Sequence, residues 1–251
     1  MYNPIITHDI DRLYKWKFAK AFIGEIYRKI KGKSSWKVYE MINSYLGKTD
    51  PFNNLLQVAE YDLNAGLTPV FYFMTTNEKH PKNINDYKIA EIENDINSLI
   101  SLGCEIGLHS GYLCAEDKSK ILQQKLSLEE VTNSEITHHR FHYFNYSNPI
   151  SFEYLAELNF KTDSSIYPTN KYDSYIMHLE SGKSIKQIPL VFMETHHMNL
   201  SNDEILRKLE NALKPAKENN GEVMILWHNN NISNDREIGL YKEALQIIKK
   251  P

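Results

Sequence analysis

The chain has 251 residues, 41% of them hydrophobic and 24% charged, enough for one large core or two small ones. No apolar run approaches the ~20 residues that a membrane helix needs, and no charged-then-apolar leader precedes the first strand, so the sequence reads as cytoplasmic with no transmembrane segment. Cys104 and Cys114 are the only cysteines, too few for a disulfide framework, and both read as free thiols.

Pro4–Thr7 opens as an apolar strand and runs into His8-Asp9-Ile10-Asp11. Side chains alternate along a strand, so Asp9 and Asp11 share a face and His8 points the other way, toward a core. Two carboxylates on one face repel and resist desolvation unless a positive group sits between them. A divalent cation is one remedy, with one carboxylate as ligand and the other free to act as a base. Taken alone, the pair also fits a solvated strand end, or an N-cap at Asp9.

From Arg12 to Lys37 come nine Lys or Arg against Glu25 alone, inside a chain whose net charge is −3. Interleaved with Trp16, Phe18, Phe22 and Trp36, this run fits the solvated face of an amphipathic helix. It also fits a surface, such as a substrate groove or subunit contact, that meets an anionic glycan, a membrane or nucleic acid. No nucleic-acid module is recognisable.

Strand patterns then appear at Thr68–Met74, Glu105–His109, Ile136–Tyr143, Lys161–Ile166, Ile188–Phe192 and Val223–His228. They alternate with helical patterns at Pro51–Leu63, Asp86–Leu102, Ser127–Val131 with its upstream turn, Ser151–Leu158, Asp203–Leu213 and Glu237–Ile248. Nearly continuous apolar runs such as Val70–Met74 and Val223–Trp227 suit strands covered on both faces. Gly66, Gly103 and Gly221 each fall between a helix and a strand, the place of a C′ glycine. Seven strands in βα alternation predict an α/β fold, a closed or nearly closed barrel in a single domain over residues 1–251.

A parallel barrel gathers its chemistry at the C-terminal ends of its strands, and the polar residues fall there. Asp9 and Asp11 end the first strand, and His109-Ser110 ends the third. Arg140 and His142 share a face of the fourth, Asp163 opens Asp163-Ser164-Ser165, and His228-Asn229 ends the last. His196, His197 and Glu194 follow the sixth strand, where the adjacent histidines cannot readily face one ion. Tyr112 and Trp227 read as packing aromatics that could stack on a sugar ring if exposed.

The ordered set Thr7-His8-Asp9-Ile10-Asp11, Gly107-Leu108-His109-Ser110, Arg140-Phe141-His142-Tyr143, Asp163-Ser164-Ser165 and Leu226-Trp227-His228-Asn229 resembles the NodB-like polysaccharide deacetylase superfamily, carbohydrate esterase family four and its relatives. It is nearest the branch that opens Thr-His-Asp-x-Asp. The resemblance implies a distorted (β/α)7 barrel and a divalent metal, zinc first and cobalt, manganese or nickel after it. The implied reaction is deacetylation of an N- or O-acetylated sugar of a polysaccharide or its precursor. It assigns Asp9 as general base, Asp11 as metal carboxylate, His109 as imidazole ligand, Arg140 as the partner of Asp9, and His228 as general acid oriented by Asp163.

One position departs from the pattern. The family reads His-Ser/Thr-x-x-His, with the second histidine as a third ligand, whereas here His109-Ser110-Gly111-Tyr112 is followed by Leu113. Two protein ligands hold zinc poorly. His142 is the expected replacement; a harder or looser metal, or no metal, are the alternatives. Without a metal the chain would be a silent glycan-binding homologue, and a third reading is an amide or imide hydrolase acting outside glycans.

Overall fold

The computed structural model describes residues 1–16, 19–34, 36–47, 50–76, 78–83 and 85–250. Lys17 and Phe18 of the basic run lie outside the described residues. The central sheet is built from β1 (Asn3–Ile10), β2 (Val70–Phe73), β3 (Glu105–Ser110), β4 (His138–Phe141), β5 (Thr162–Asp163), β6 (Tyr175–His178), β7 (Ser184–Gln187), β8 (Leu190–Met193) and β9 (Glu222–Leu226). Its order is β6-β7-β5-β4-β3-β2-β1-β9-β8, and every pairing but the β6–β7 hairpin is parallel.

Apart from the β6 edge, this order begins and ends on one stretch of chain. β7 pairs with β5 and β8 pairs with β9, yet only Ile188 and Pro189 separate β7 from β8. The Ile188 N–H donates to the Asp163 carbonyl at 2.9 Å, and the next carbonyl, of Pro189, accepts from Met224 N–H at 2.8 Å. The segment thus changes partners at a proline, which has no N–H to give a ladder. Counting β7 and β8 as one bent strand leaves seven parallel strands curled into the expected distorted barrel, with β6 added outside.

Helices α1 (Ala19–Ile30), α2 (Val38–Leu46), α3 (Leu55–Asn64), α4 (Glu93–Ser101), α5 (Lys118–Thr132), α6 (Ile150–Glu157), α7 (Asn202–Glu218) and α8 (Asp235–Lys249) connect the strands. The buried strands Val70–Phe73 and Glu222–Leu226 are covered on both faces, as their continuous apolar runs require. No helix of the described residues is long and apolar enough to cross a membrane. Cys104 and Cys114 are both free and buried.

The hairpin β6–β7 and helix α2 go beyond the sequence expectation, and α5 is far longer than Ser127–Val131. The hairpin strands are short and alternate with exposed residues, while α5 carries a weak apolar stripe and starts on the Asp117 cap, which accepts from Ser119 and Lys120 N–H. Gly66 and Gly103 have φ of +82° and +91°, as C′ glycines do. Gly221 does not; there Asn220 takes the left-handed turn, and a Cβ on Gly221 would clash with the Tyr172 carbonyl oxygen.

Candidate active site

The parallel register places the ends of β1, β3, β4 and β9 on one rim. Asp9 lies on β1, His109 pairs with Arg140 across β3 and β4, and His228 follows β9. Asp9 and Asp11 do face the same way: the His109 Nε2 is 3.6 Å from Asp9 Oδ2 and 3.5 Å from Asp11 Oδ1.

His142 reaches the same point by a route other than strand alternation. β4 stops at Phe141, and the chain turns through His142–Phe144 with Tyr143 and Phe144 at φ of +56° and +52°. Such consecutive left-handed residues are rare outside glycine and mark a backbone held by its surroundings. The turn brings His142 Nδ1 to 2.9 Å from His109 Nε2 and 3.4 Å from Asp11 Oδ1.

The other nitrogen of each ring is already engaged. His109 Nδ1 lies 3.0 Å from the Arg140 carbonyl and His142 Nε2 lies 2.7 Å from the Lys82 carbonyl. A carbonyl only accepts, so those two nitrogens carry the ring protons and the lone pairs of the neutral rings face each other. Among the described residues, buried Asp11 Oδ1 has no hydrogen-bond partner. Two imidazole lone pairs and a carboxylate oxygen therefore meet, all within 4.8 Å, as the ligands of a cation do. Backbone carbonyls that fix the far side of each ring are the usual support for ligating histidines. Burial pushes the His142 imidazole down to about 4, so it is neutral and able to ligate at pH 7. Leu113, which stands where the resemblance places a ligand, is instead 40% exposed on the turn Tyr112–Cys114.

Asp9 is clamped. Arg140 NH1 donates to Asp9 Oδ1 at 2.7 Å and to Thr7 Oγ1 at 3.0 Å, its Nε donates to Ser164 Oγ at 2.9 Å, and its guanidinium lies over the Tyr72 ring at 4.5 Å. Burial opposes ionisation of Asp9, but Arg140, with His109 and His228 beside it, outweighs burial and holds the carboxyl below its ordinary range.

His228 is held by Glu194. Glu194 Oε1 accepts from His228 Nδ1 at 2.8 Å, from the His228 backbone N–H at 3.0 Å and from Asn231 Nδ2 at 2.6 Å. Burial disfavours the imidazolium, yet Glu194, then Asp11 and Asp9, raise its pKa to about 9. Its Nε2 faces the cluster, 3.9 Å from Asp11 Oδ2.

Asp163 does not orient His228. Its Oδ2 binds His139 Nδ1 at 2.9 Å and Ser165 Oγ at 2.7 Å, and His139 Nε2 lies 2.7 Å from Ser110 Oγ. The reason is topological. β5 adjoins β4, where His139 is Asp163's register partner, whereas His228 leaves β9, whose neighbour β8 ends one residue before Glu194. Asp163 thus braces β4 and β3 behind the site, and the strand adjacency that identifies Glu194 is not written in local sequence.

His8 packs away from the rim, as its strand face requires. Fully buried, its Nδ1 lies 2.6 Å from the Trp227 carbonyl and its Nε2 2.9 Å from Asp62, which also takes the Tyr241 hydroxyl. Trp227 is buried, and Tyr112 stacks on His80 at 5.0 Å. His196 lies beside the Tyr167 hydroxyl and His197 beside Phe192; neither joins the cluster.

No protein-family model matches the sequence and no curated protein matches it. Solved structures do match in fold. A protein from Mycobacterium smegmatis assigned as a polysaccharide deacetylase aligns over 99% of this chain and 85% of its own, with TM-score 0.63 and 14% identity. A family 4 carbohydrate esterase from Streptomyces lividans, solved with acetate, aligns over 98% and 87% with TM-score 0.51 and 10% identity. A family 4 pseudoenzyme from Bacillus anthracis aligns over 98% of this chain, which spans 60% of that protein, with TM-score 0.54 and 9% identity. At such identities the likeness is one of fold, and it is the fold that the ordered motifs imply.

Proposed function

From the polysaccharide-deacetylase fold and the converging side chains at its rim, we propose that this chain is a hydrolase that removes an acetyl group from an N- or O-acetylated sugar. In this reading Asp11, His109 and His142 hold a divalent cation. Two imidazoles and one carboxylate suit zinc, and cobalt, manganese or nickel after it. A cation bound there would supply Lewis acidity to the acetyl carbonyl and lower the pKa of a water.

The remaining roles follow from the chain's own groups. Asp9, kept ionised and aligned by Arg140, takes the proton of the attacking water. His228, kept as an imidazolium by Glu194, gives a proton to the departing nitrogen or oxygen. Arg140 occupies Asp9 Oδ1 and leaves Oδ2 facing the cluster. Residues 1–251 act as one catalytic domain in this account.

A single observation carries the reading: among the described residues buried Asp11 Oδ1 makes no hydrogen bond, and it lies within 4.8 Å of two imidazole nitrogens whose rings are each fixed from the far side by a backbone carbonyl. Acetate release from N-acetylated oligosaccharides, measured with added zinc, cobalt or manganese, tests it. Metal-stimulated release that falls about 100-fold or more in Asp9→Asn and His228→Ala is expected. A folded protein that releases no acetate with any of the three metals, and binds the oligosaccharide equally well as Asp11→Ala, would contradict it and favour silent glycan binding.

A further inference from the structure

The connection between β1 and β2 carries α1, α2 and α3, and the first two turn apolar side chains to solvent. Ile23, Ile26, Tyr27 and Ile30 recur at i, i+3, i+4 and i+7 and so share one face of α1. All four are exposed, Ile23 by 65% and Ile30 by 76%. On α2, Ile42 and Leu46, four apart, are exposed as well, Leu46 by 75%. Phe22 stacks on Tyr45 at 4.1 Å and joins the two helices. A helix on a globular protein ordinarily turns its apolar stripe inward. Here the acid goes inward instead: Glu25 is buried against Lys15 and Ser34.

Cations flank the exposed face at its C-terminal end. Lys29 and Lys31 sit at the end of α1 and just beyond it, Arg28 and Lys33 lie on the cavity side, and no acid falls between Glu25 and Glu40 in sequence. The nearest acids are engaged elsewhere, since Glu40 accepts from the Lys37 and Asp235 backbone N–H groups. We propose that the α1–α2 pair docks on an anionic lipid bilayer, its isoleucines and Leu46 entering the boundary between headgroups and acyl chains and its cations meeting lipid phosphates. An apolar stripe edged by Lys and Arg is the composition of helices that lie in that layer. A symmetric contact with a second copy would bring the same cations face to face, which repels. The acidic remainder of the chain would turn away from such a membrane and leave this face toward it.

On the side away from the isoleucines, α1 turns Ala21, Glu25 and Arg28 to a cavity of about 430 Å³ whose lining also includes Arg12, which follows Asp11, and Asn231, which holds Glu194. Lys15, Lys33 and Arg236 line it too, with Glu25 and Glu237 as its acids, so cations outnumber acids on its walls.

Flotation of the full chain with vesicles of phosphatidylcholine alone, or with added phosphatidylglycerol, tests the proposal. Binding to the anionic vesicles only, weakening with salt, is expected. The double substitutions Ile23→Ser/Ile30→Ser and Lys29→Glu/Lys31→Glu should each lower the bound fraction about tenfold. Thermal unfolding should be unchanged, because these side chains are on the surface. Failure of the wild-type chain to float with anionic vesicles overturns the proposal, and so does equal flotation of the variants or equal binding to phosphatidylcholine alone. A dimer in sedimentation equilibrium that Ile30→Glu dissociates also overturns it, by giving the face to a second copy.

Discussion

His109 Nε2 and His142 Nδ1 lie 2.9 Å apart while each ring's other nitrogen is bonded to a backbone carbonyl. Two neutral imidazoles in this arrangement oppose lone pair to lone pair, so a positive particle must lie between them, either a proton or a metal ion. Burial works against a proton on His109, but Asp9 and Asp11 outweigh it and raise the pKa, whereas burial takes His142 down to about 4. Of the two rings, His109 is the one that favours a proton and His142 the one that sheds it.

Metal competes with a proton on His109. Calorimetric titration with zinc in buffers of different ionisation enthalpy should show proton release from the protein, and affinity that rises with pH. Binding with no proton release and no pH dependence would contradict the assignment of the shared proton.

In the proposed reaction the Glu194–His228 pair sets the alkaline edge. The folded imidazole has its pKa raised from 6.5 to about 9, so the acid form persists through neutral pH and is lost as pH climbs through about 9. The same sign governs stability: the pair contributes fully below the unfolded value near 6.5, and that contribution disappears through about 9. Replacing Glu194 by Gln removes the charge that raises the pKa most. The alkaline limb of kcat/KM should move to lower pH, with a smaller change in metal content. An unmoved limb would show that His228 is not the proton donor.

The buried pair of Arg140 and Asp9 is costly to halve. Arg140→Leu leaves a desolvated carboxylate without its counter-ion and should destabilise the fold by about 3–5 kcal/mol in urea unfolding. Adding Asp9→Asn to that variant should recover part of the stability, because the stranded charge is removed, and none of the activity. If activity returned with stability, Asp9 would be a structural residue and not the base.

Behind the rim, His8, Asp62 and Tyr241 form a buried polar network directed away from the cluster. Tyr241→Phe should lower stability by about 1–3 kcal/mol and leave kcat/KM unchanged at a temperature where the variant is folded. A selective loss of kcat would mean that this network tunes the neighbouring Asp9.

The parts of the site that sequence makes legible are those where an apolar strand stops at a chemically active residue. Asp9, Asp11, His109, Arg140 and His228 all follow from alternation and from the rule that barrel chemistry gathers at strand ends. His142 is brought in by a turn with two positive φ values rather than by period two, so its place was expected for a different physical reason. Asp163 and Glu194 show where local pattern ends. Which carboxylate meets His228 depends on which strand adjoins β9, and that is settled by the partner switch at Pro189. The hairpin β6–β7 left little trace because its short strands at the sheet edge bury few side chains.

The central claim is that Asp11, His109 and His142 together hold one divalent cation. Mass-spectrometric metal analysis of the zinc-loaded, dialysed protein measures this directly. The account predicts about one zinc per chain, with affinity weakened in His142→Ala by more than the roughly 10–100-fold that loss of a ligand's supporting hydrogen bond costs. Metal-free wild-type protein, or a His142→Ala variant that retains zinc as tightly as the parent, would contradict it.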